Sequence, residues 1–148
     1  MDKQRLALLQ KDYVQGFSAY CGIQVLRIGD GIFESILEIQ PSHLQQDGFV
    51  HAGVIATMAD HTAGYAAFTI APPDHRILTI EFKINYFKPA TGESIVCRSK
   101  VINRGKKIIV AESEIFSRYD HQEKLVSKAT VTLMSLRLDR VKKKDTAE

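Results

Sequence analysis

One carboxylate, Asp60, stands alone in the run from Gly48 to Gly64, where its neighbours Met58, Ala59 and Ala63 are apolar or small. An ionised carboxylate resists burial unless something compensates it, so an acid in this frame is a candidate for a working group whose pKa its surroundings raise. It could take a proton from water or attack a carbonyl itself. Upstream, His51, Ala52 and Gly53 open a stretch of helix-forming residues. The first N–H groups of a helix lack intrahelical partners and sit at the positive end of its dipole. Those at Ala52 and Gly53 therefore make an oxyanion hole for a carbonyl oxygen that becomes anionic.

The spacing constrains how the two parts can meet. Eight residues of helix span about 12 Å, so Asp60 cannot touch a carbonyl held at Ala52 of its own helix. Two such helices, antiparallel about a two-fold axis, would bring Ala52 of one chain to Asp60 of the other, and Gly53, Ala56 and Gly64 permit close approach. The expectation is an obligatory homodimer with two shared active sites, which could pair again as a dimer of dimers.

Plainer roles exist for the same residues. Asp60 could cap a helix starting at His61 or bond a buried backbone group. His51 alone is a turn or core histidine, and beside an oxyanion hole its role is orientation rather than proton transfer. His51, Asp60 and His61 do not make a metal site, because His61 points about 100° around the helix from Asp60. No metal is expected. His43, His75 and His121 read as surface-loop residues, and Tyr65 and Phe68 as core or pocket lining.

The elements that must position these groups follow from periodicity. Residues 2–16 carry Leu6, Leu8, Leu9, Tyr13 and Val14 at helical spacing and end at Gly16. From Tyr20 to Ile39 the apolar residues recur on a strand-like period, broken by Gly29-Asp30-Gly31, which predicts a hairpin. A polar loop around Pro41–Gly48 precedes a helix over 51–70, rich in alanine and too apolar for a surface helix. In 77–87, Leu78, Ile80, Phe82, Ile84 and Tyr86 alternate with Thr79, Glu81, Lys83 and Asn85, the pattern of a half-buried strand. Further strands are predicted over 93–103, 107–117 and 124–136, and a basic, frayed tail over 139–148. The fold class is α+β, one domain over 1–138 with an antiparallel sheet around a long central helix.

Composition agrees with a single globular domain: 148 residues, 45% hydrophobic and 25% charged. No apolar run is long enough to span a membrane and no signal-peptide core follows Met1, so a soluble, cytoplasmic protein is expected. Cys21 and Cys97 lack disulfide or metal spacing and are read as reduced thiols. The formal charge of +3 collects in Arg104–Lys107 and Arg140–Lys144, without interleaved aromatics, which argues against nucleic acid.

With the helix between the hairpin and the four-strand run, the chain resembles the hotdog-fold acyl-CoA thioesterases of the phenylacetate-degradation (PaaI) type. A His-Gly-Gly turn opening the helix, with Asp some eight residues on, is matched by His51, Ala52, Gly53 and Asp60. A later strand ending in a proline turn is matched by Thr79 to Pro89. The resemblance implies hydrolysis of an acyl-CoA thioester with Asp60 as general base or nucleophile, the helix-opening N–H as oxyanion donor and His51 beside it. No cofactor is implied beyond the coenzyme A of the substrate. Two departures stand out: Ala52 replaces a glycine, adding a methyl near the thioester, and an Asn upstream of the His is replaced by Gln45, or by Gln46. Thr79 matches a Ser or Thr that helps hold the water. His61 joins Gln46 as a substrate contact, and Arg104, Lys106 and Lys107 either meet the CoA phosphates or form a solvated turn. Two competing functions share the frame: a hotdog dehydratase or hydratase using a His and carboxylate pair, and a non-catalytic acyl-CoA-binding protein.

Overall fold

The computed structural model describes residues 1–141; most of the basic tail expected over 139–148 lies outside them, apart from a closing helical turn at Leu138–Val141. The first helix, α1 (Lys3–Tyr13), is capped by Asp2, which accepts from the Arg5 N–H at 2.7 Å. It ends three residues before the expected stop, and a second short helix, α2 (Gly16–Tyr20), follows. The strand expected from Tyr20 therefore starts late. Gly22, at φ +74°, closes α2 by donating to Ala19, and β1 begins only at Gln24.

β1 (Gln24–Gly29) and β2 (Ile32–Glu38) form the predicted hairpin, with Gly31 at φ +70° supplying the left-handed residue of a two-residue turn. The central helix, α3 (Ala52–Ile70), starts one residue from its expected position because His51 is its cap. β3 (His75–Tyr86), β4 (Ser94–Arg104), β5 (Ile108–Tyr119) and β6 (Gln122–Arg137) complete a six-stranded antiparallel sheet in the order β1-β2-β4-β5-β6-β3.

α3 lies across this sheet and buries Ile55, Met58, Ala59, Ala63, Ala66 and Ala67 against Phe33, Leu37, Ile95, Ile115, Val131 and Leu133. Alanines on the buried face let the helix axis sit close to the strands. A buried hydroxyl chain fixes its rotation: Thr62 Oγ1 lies 2.9 Å from the Tyr13 hydroxyl on α1 and 2.9 Å from Ser35 Oγ on β2. Both cysteines are free and buried, and burial pushes the Cys97 thiol up to about 11. Among the described residues no helix is long and apolar enough to cross a membrane.

β3 differs from expectation. It is the edge of the sheet, and most of its residues are exposed rather than half-buried. A bulge at Ile80 also breaks the alternation: Thr79 pairs with Leu133, whereas Phe82 pairs with Val131. Both partners are buried, so Thr79 shares the inner face with Phe82 and Ile84, and the polar face read from the sequence is split between two sides.

Candidate active site

The loop ahead of α3 is folded by its own backbone. His51 donates to the His43 carbonyl at 2.8 Å, Val50 to Ala90 at 3.0 Å and Gln45 to Phe49 at 2.8 Å. His43 is buried and its Nδ1 accepts from the Gln40 N–H, so it caps a 3-10 turn and is not the exposed loop residue expected. His75 likewise is half-buried, 2.8 Å from Ser135 Oγ.

His51 itself is the N-cap of α3: its Nδ1 accepts from the Gly53 N–H at 2.8 Å. A nitrogen that accepts carries no proton, so the ring is held as the Nε2–H tautomer. A Cβ at Gly53 would sit 3.0 Å from His51 Nδ1, so a larger residue there would push the ring by a few tenths of an ångström. The cap also changes the expected oxyanion hole. The Gly53 N–H is spoken for, which leaves Ala52 as the helix-opening N–H without a partner among the described residues. The Tyr86 hydroxyl, from the end of β3, donates to the Ala52 carbonyl at 3.0 Å.

Three clefts flank α3; one, about 420 Å³, lies against Gly53, Val54 and Thr57, and the other two hold most of the expected polar residues. The first of these two, about 480 Å³, opens at the helix N-terminus and brings together Gln45, Gln46, His51, Ala52, Tyr86 and Lys88. Gln45 turns part of its side chain back on its own loop, where Oε1 accepts from the Asp47 N–H and Nε2 donates to Asp47 Oδ2 at 3.4 Å. The second cleft, about 180 Å³, contains Asp60, His61, Tyr65 and Thr79, walled by Asp12 and Arg76.

In the second cleft Asp60 is half-buried and Thr79 donates its hydroxyl to Asp60 Oδ1 at 2.7 Å. One carboxylate oxygen is thereby fixed while Oδ2 keeps its lone pairs. His61 packs against Tyr13 and Tyr65, with centroids 4.4 and 4.9 Å away. Its Nε2 lies 3.0 Å from the Tyr13 carbonyl, which can only accept, so Nε2 carries the proton. Burial pushes the His61 pKa below its ordinary value. Neutral at pH 7, it offers a wall and not a charge.

The single chain thus separates the expected residues into two groups, His51, Ala52, Gln45 and Gln46 at one cleft and Asp60, His61 and Thr79 at the other. Arg104, Lys106 and Lys107 reach neither. Arg104 pairs with Asp30 at 2.9 Å beside Gly31, whose N–H is held by Thr69 at the far end of α3. Tyr86, Lys88, Asp12 and Arg76 are not among the site residues expected from the sequence. Tyr86 carried a signal in its alternation with Phe82 and Ile84, whereas Asp12 and Arg76 have no local pattern that separates them from surface charges.

One long helix packed on a six-stranded antiparallel sheet, with a capped helix N-terminus and a carboxylate two turns along, is the hotdog thioesterase fold. The chain belongs to the thioesterase superfamily, whose profile matches residues 47–124, more than half of its length. A crystal structure of a thioesterase family protein from Silicibacter pomeroyi is similar at 32% identity and TM-score 0.85, covering 88% of this chain and 98% of that one. Among curated relatives, the 1,4-dihydroxy-2-naphthoyl-CoA hydrolase of Listeria monocytogenes is 26% identical over 82% of this chain and 98% of its own length. A medium/long-chain acyl-CoA thioesterase of Escherichia coli is 23% identical over 82% of this chain and 86% of its own.

Proposed function

We propose that this protein is a cytoplasmic acyl-CoA thioesterase of the PaaI type, working as a homodimer in which each site takes its oxyanion donor from one chain and its carboxylate from the other. The observation that carries the reading is the division of the candidate groups between two clefts along one helix. Neither cleft holds both a free helix-opening N–H and a carboxylate, and a second copy of α3 running antiparallel supplies what each lacks.

The surface of the single chain fits that assembly. β3 is a twelve-residue edge strand whose outer backbone groups have no neighbouring strand, and Leu78, Ile80, Phe82 and Tyr86 on it are exposed. An unprotected apolar edge of this length calls for a partner strand. On α3, Ala56, Asp60 and Gly64 form a half-exposed stripe at helical spacing, and nothing lies within 4 Å of a Cβ built on Gly64. Pairing β3 with its copy would lay the two α3 helices side by side.

In the shared site the thioester carbonyl accepts from the Ala52 N–H. The partner's Asp60, held through Oδ1 by its own Thr79, uses Oδ2 to take a proton from water, or attacks the carbonyl carbon directly. The tetrahedral oxyanion forms against the helix N-terminus and the C–S bond breaks; in the first route the CoA thiolate takes the proton that Asp60 removed from water, and in the second it leaves behind an Asp60–acyl anhydride that water cleaves to release the acid and restore the carboxylate. His51 keeps the N-terminus ordered and presents Nε2–H to the first cleft. In this reading Lys88, on the wall of that cleft, meets the CoA phosphates, and no cofactor takes part. The two curated relatives differ in acyl group, one a dihydroxynaphthoyl group and one a medium or long acyl chain, so their names support a CoA thioester without choosing between them.

The deciding experiment is thiol release from short, medium, long and aryl acyl-CoAs, with and without Asp60→Asn. The expected loss at the best substrate is about 10² to 10⁴-fold. An Asn variant as fast as wild type would defeat the mechanism.

A further inference from the structure

The second cleft ends on charge that thioester hydrolysis does not use. Asp60, His61, Gly64, Tyr65 and Phe68 line it from a single helix, so it runs along α3 for about 12 Å from the carboxylate to the Phe68 ring. Two guanidiniums meet that ring: Arg5 lies 4.4 Å from its centroid and Arg76 lies 5.4 Å from it. Both are half-buried and both are held in place, Arg5 by donating to the Phe68 carbonyl at 2.8 Å and Arg76 by donating to the His75 carbonyl at 3.1 Å.

Among the described residues neither arginine has a carboxylate oxygen within 4.0 Å. Asp12, the acid on the same cleft wall, accepts the Tyr65 hydroxyl at 2.9 Å instead. Two like charges against one ring repel, and burial with the nearby Arg76 charge pushes Arg5 down from its ordinary value, outweighing the opposite pull of Asp2 and Asp12. Of the two, Arg76 lines the cleft.

We propose that this cleft receives the acyl group and that Arg76 binds an anionic end of it, so that the preferred substrates are thioesters of short dicarboxylic acids. The proposal rests on the acyl-CoA reading above. A guanidinium offers a carboxylate two parallel N–H bonds in a fixed fork, and a partly desolvated one without a counterion gains most from meeting it. The two ends of the cleft then sort the two ends of the substrate. A free carboxylate is drawn to Arg76 and repelled by Asp60, which leaves the thioester at the only place where it can be cleaved. Tyr65 and Phe68 cover the carbons between, and a volume of about 180 Å³ favours a short connection.

The test compares glutaryl-CoA and adipyl-CoA with their ω-methyl esters and with hexanoyl-CoA, using the full-length protein. The carboxylate form should be preferred by about tenfold or more in kcat/KM, the scale of a charge-assisted hydrogen bond. In Arg76→Met the ratio should fall towards one, with the loss in KM for the carboxylate substrate, and Arg76→Lys should restore part of it. No preference in wild type, or a preference that survives Arg76→Met, overturns the proposal. So does an Arg76→Met protein that sediments as a monomer, because the arginine would then serve a partner chain. Equilibrium binding of the same pairs to Asp60→Asn measures the preference without turnover. A protein that binds the carboxylate form tighter but cleaves no thioester would sink the hydrolase reading alone.

Discussion

The Thr79 hydroxyl donates to Asp60 Oδ1 across 2.7 Å, tying the middle of α3 to the edge strand one residue before its bulge. The bond fixes one carboxylate oxygen and with it the direction of Oδ2, the atom to which the proposed mechanism assigns the chemistry. Thr79→Val removes the donor with little change in volume, so kcat for the best acyl-CoA should drop about tenfold, the worth of a hydrogen bond to a charged acceptor. Thr79→Ser should recover most of it. A Val variant with wild-type kcat would mean that Asp60 is oriented by something else.

His51 serves as a helix cap through Nδ1, and this role can be separated from any role its ring plays with substrate. His51→Ala should destabilise the protein by about 1 kcal/mol in urea unfolding, because the Gly53 N–H loses its acceptor. His51→Asn supplies another capping acceptor and should recover that stability. Whatever thiol-release activity the Asn variant still lacks then belongs to the ring. If both variants unfold at the wild-type midpoint, the cap contributes nothing.

Periodicity located α3 and the hairpin because both are set by local chemistry: an alanine-rich apolar run, and an Asp-Gly turn with glycine in the left-handed region. The position of β3 at the sheet edge was not legible, since its alternation of Leu78 to Tyr86 reads the same in an edge or central strand. Nor was the bulge at Ile80, which carries no glycine or proline to mark it. That one extra residue is why Thr79 faces Asp60 while Glu81 does not. The pairing of His51 with Gly53 was hidden for a different reason: it is a side chain competing for a backbone donor, invisible to any reading of spacing alone. Arg76 and Arg5 meet at Phe68 only through the tertiary fold, the two arginines standing 71 positions apart in sequence.

The exposed apolar edge gives the dimer a direct check. Leu78→Asp with Ile80→Asp places two charges on side chains that are about half exposed in the single chain, so the monomer should still fold by circular dichroism. Across a self-paired β3 these charges and those of the copy crowd one ladder, and like charges near one another across strands oppose pairing. Sedimentation should shift to the monomer and thiol release should vanish with it. An active monomer would defeat the shared site.

His61 gives the fold a pH dependence whose sign is fixed by its surroundings. In the unfolded chain the ring titrates near the ordinary value of 6.5, whereas burial lowers it in the folded state, more than the Tyr13 carbonyl and the nearby Asp60 raise it. As pH falls below about 6.5 the unfolded chain takes up a proton that the folded chain refuses. The unfolded state then binds more protons, so stability declines with falling pH and levels off once the folded-state value is passed. Urea midpoints measured from pH 7.5 down to 5.5 should therefore fall in wild type. They should fall less in His61→Gln, which retains an N–H donor for the Tyr13 carbonyl but cannot titrate. Parallel slopes in the two proteins would show that His61 is not the group responsible.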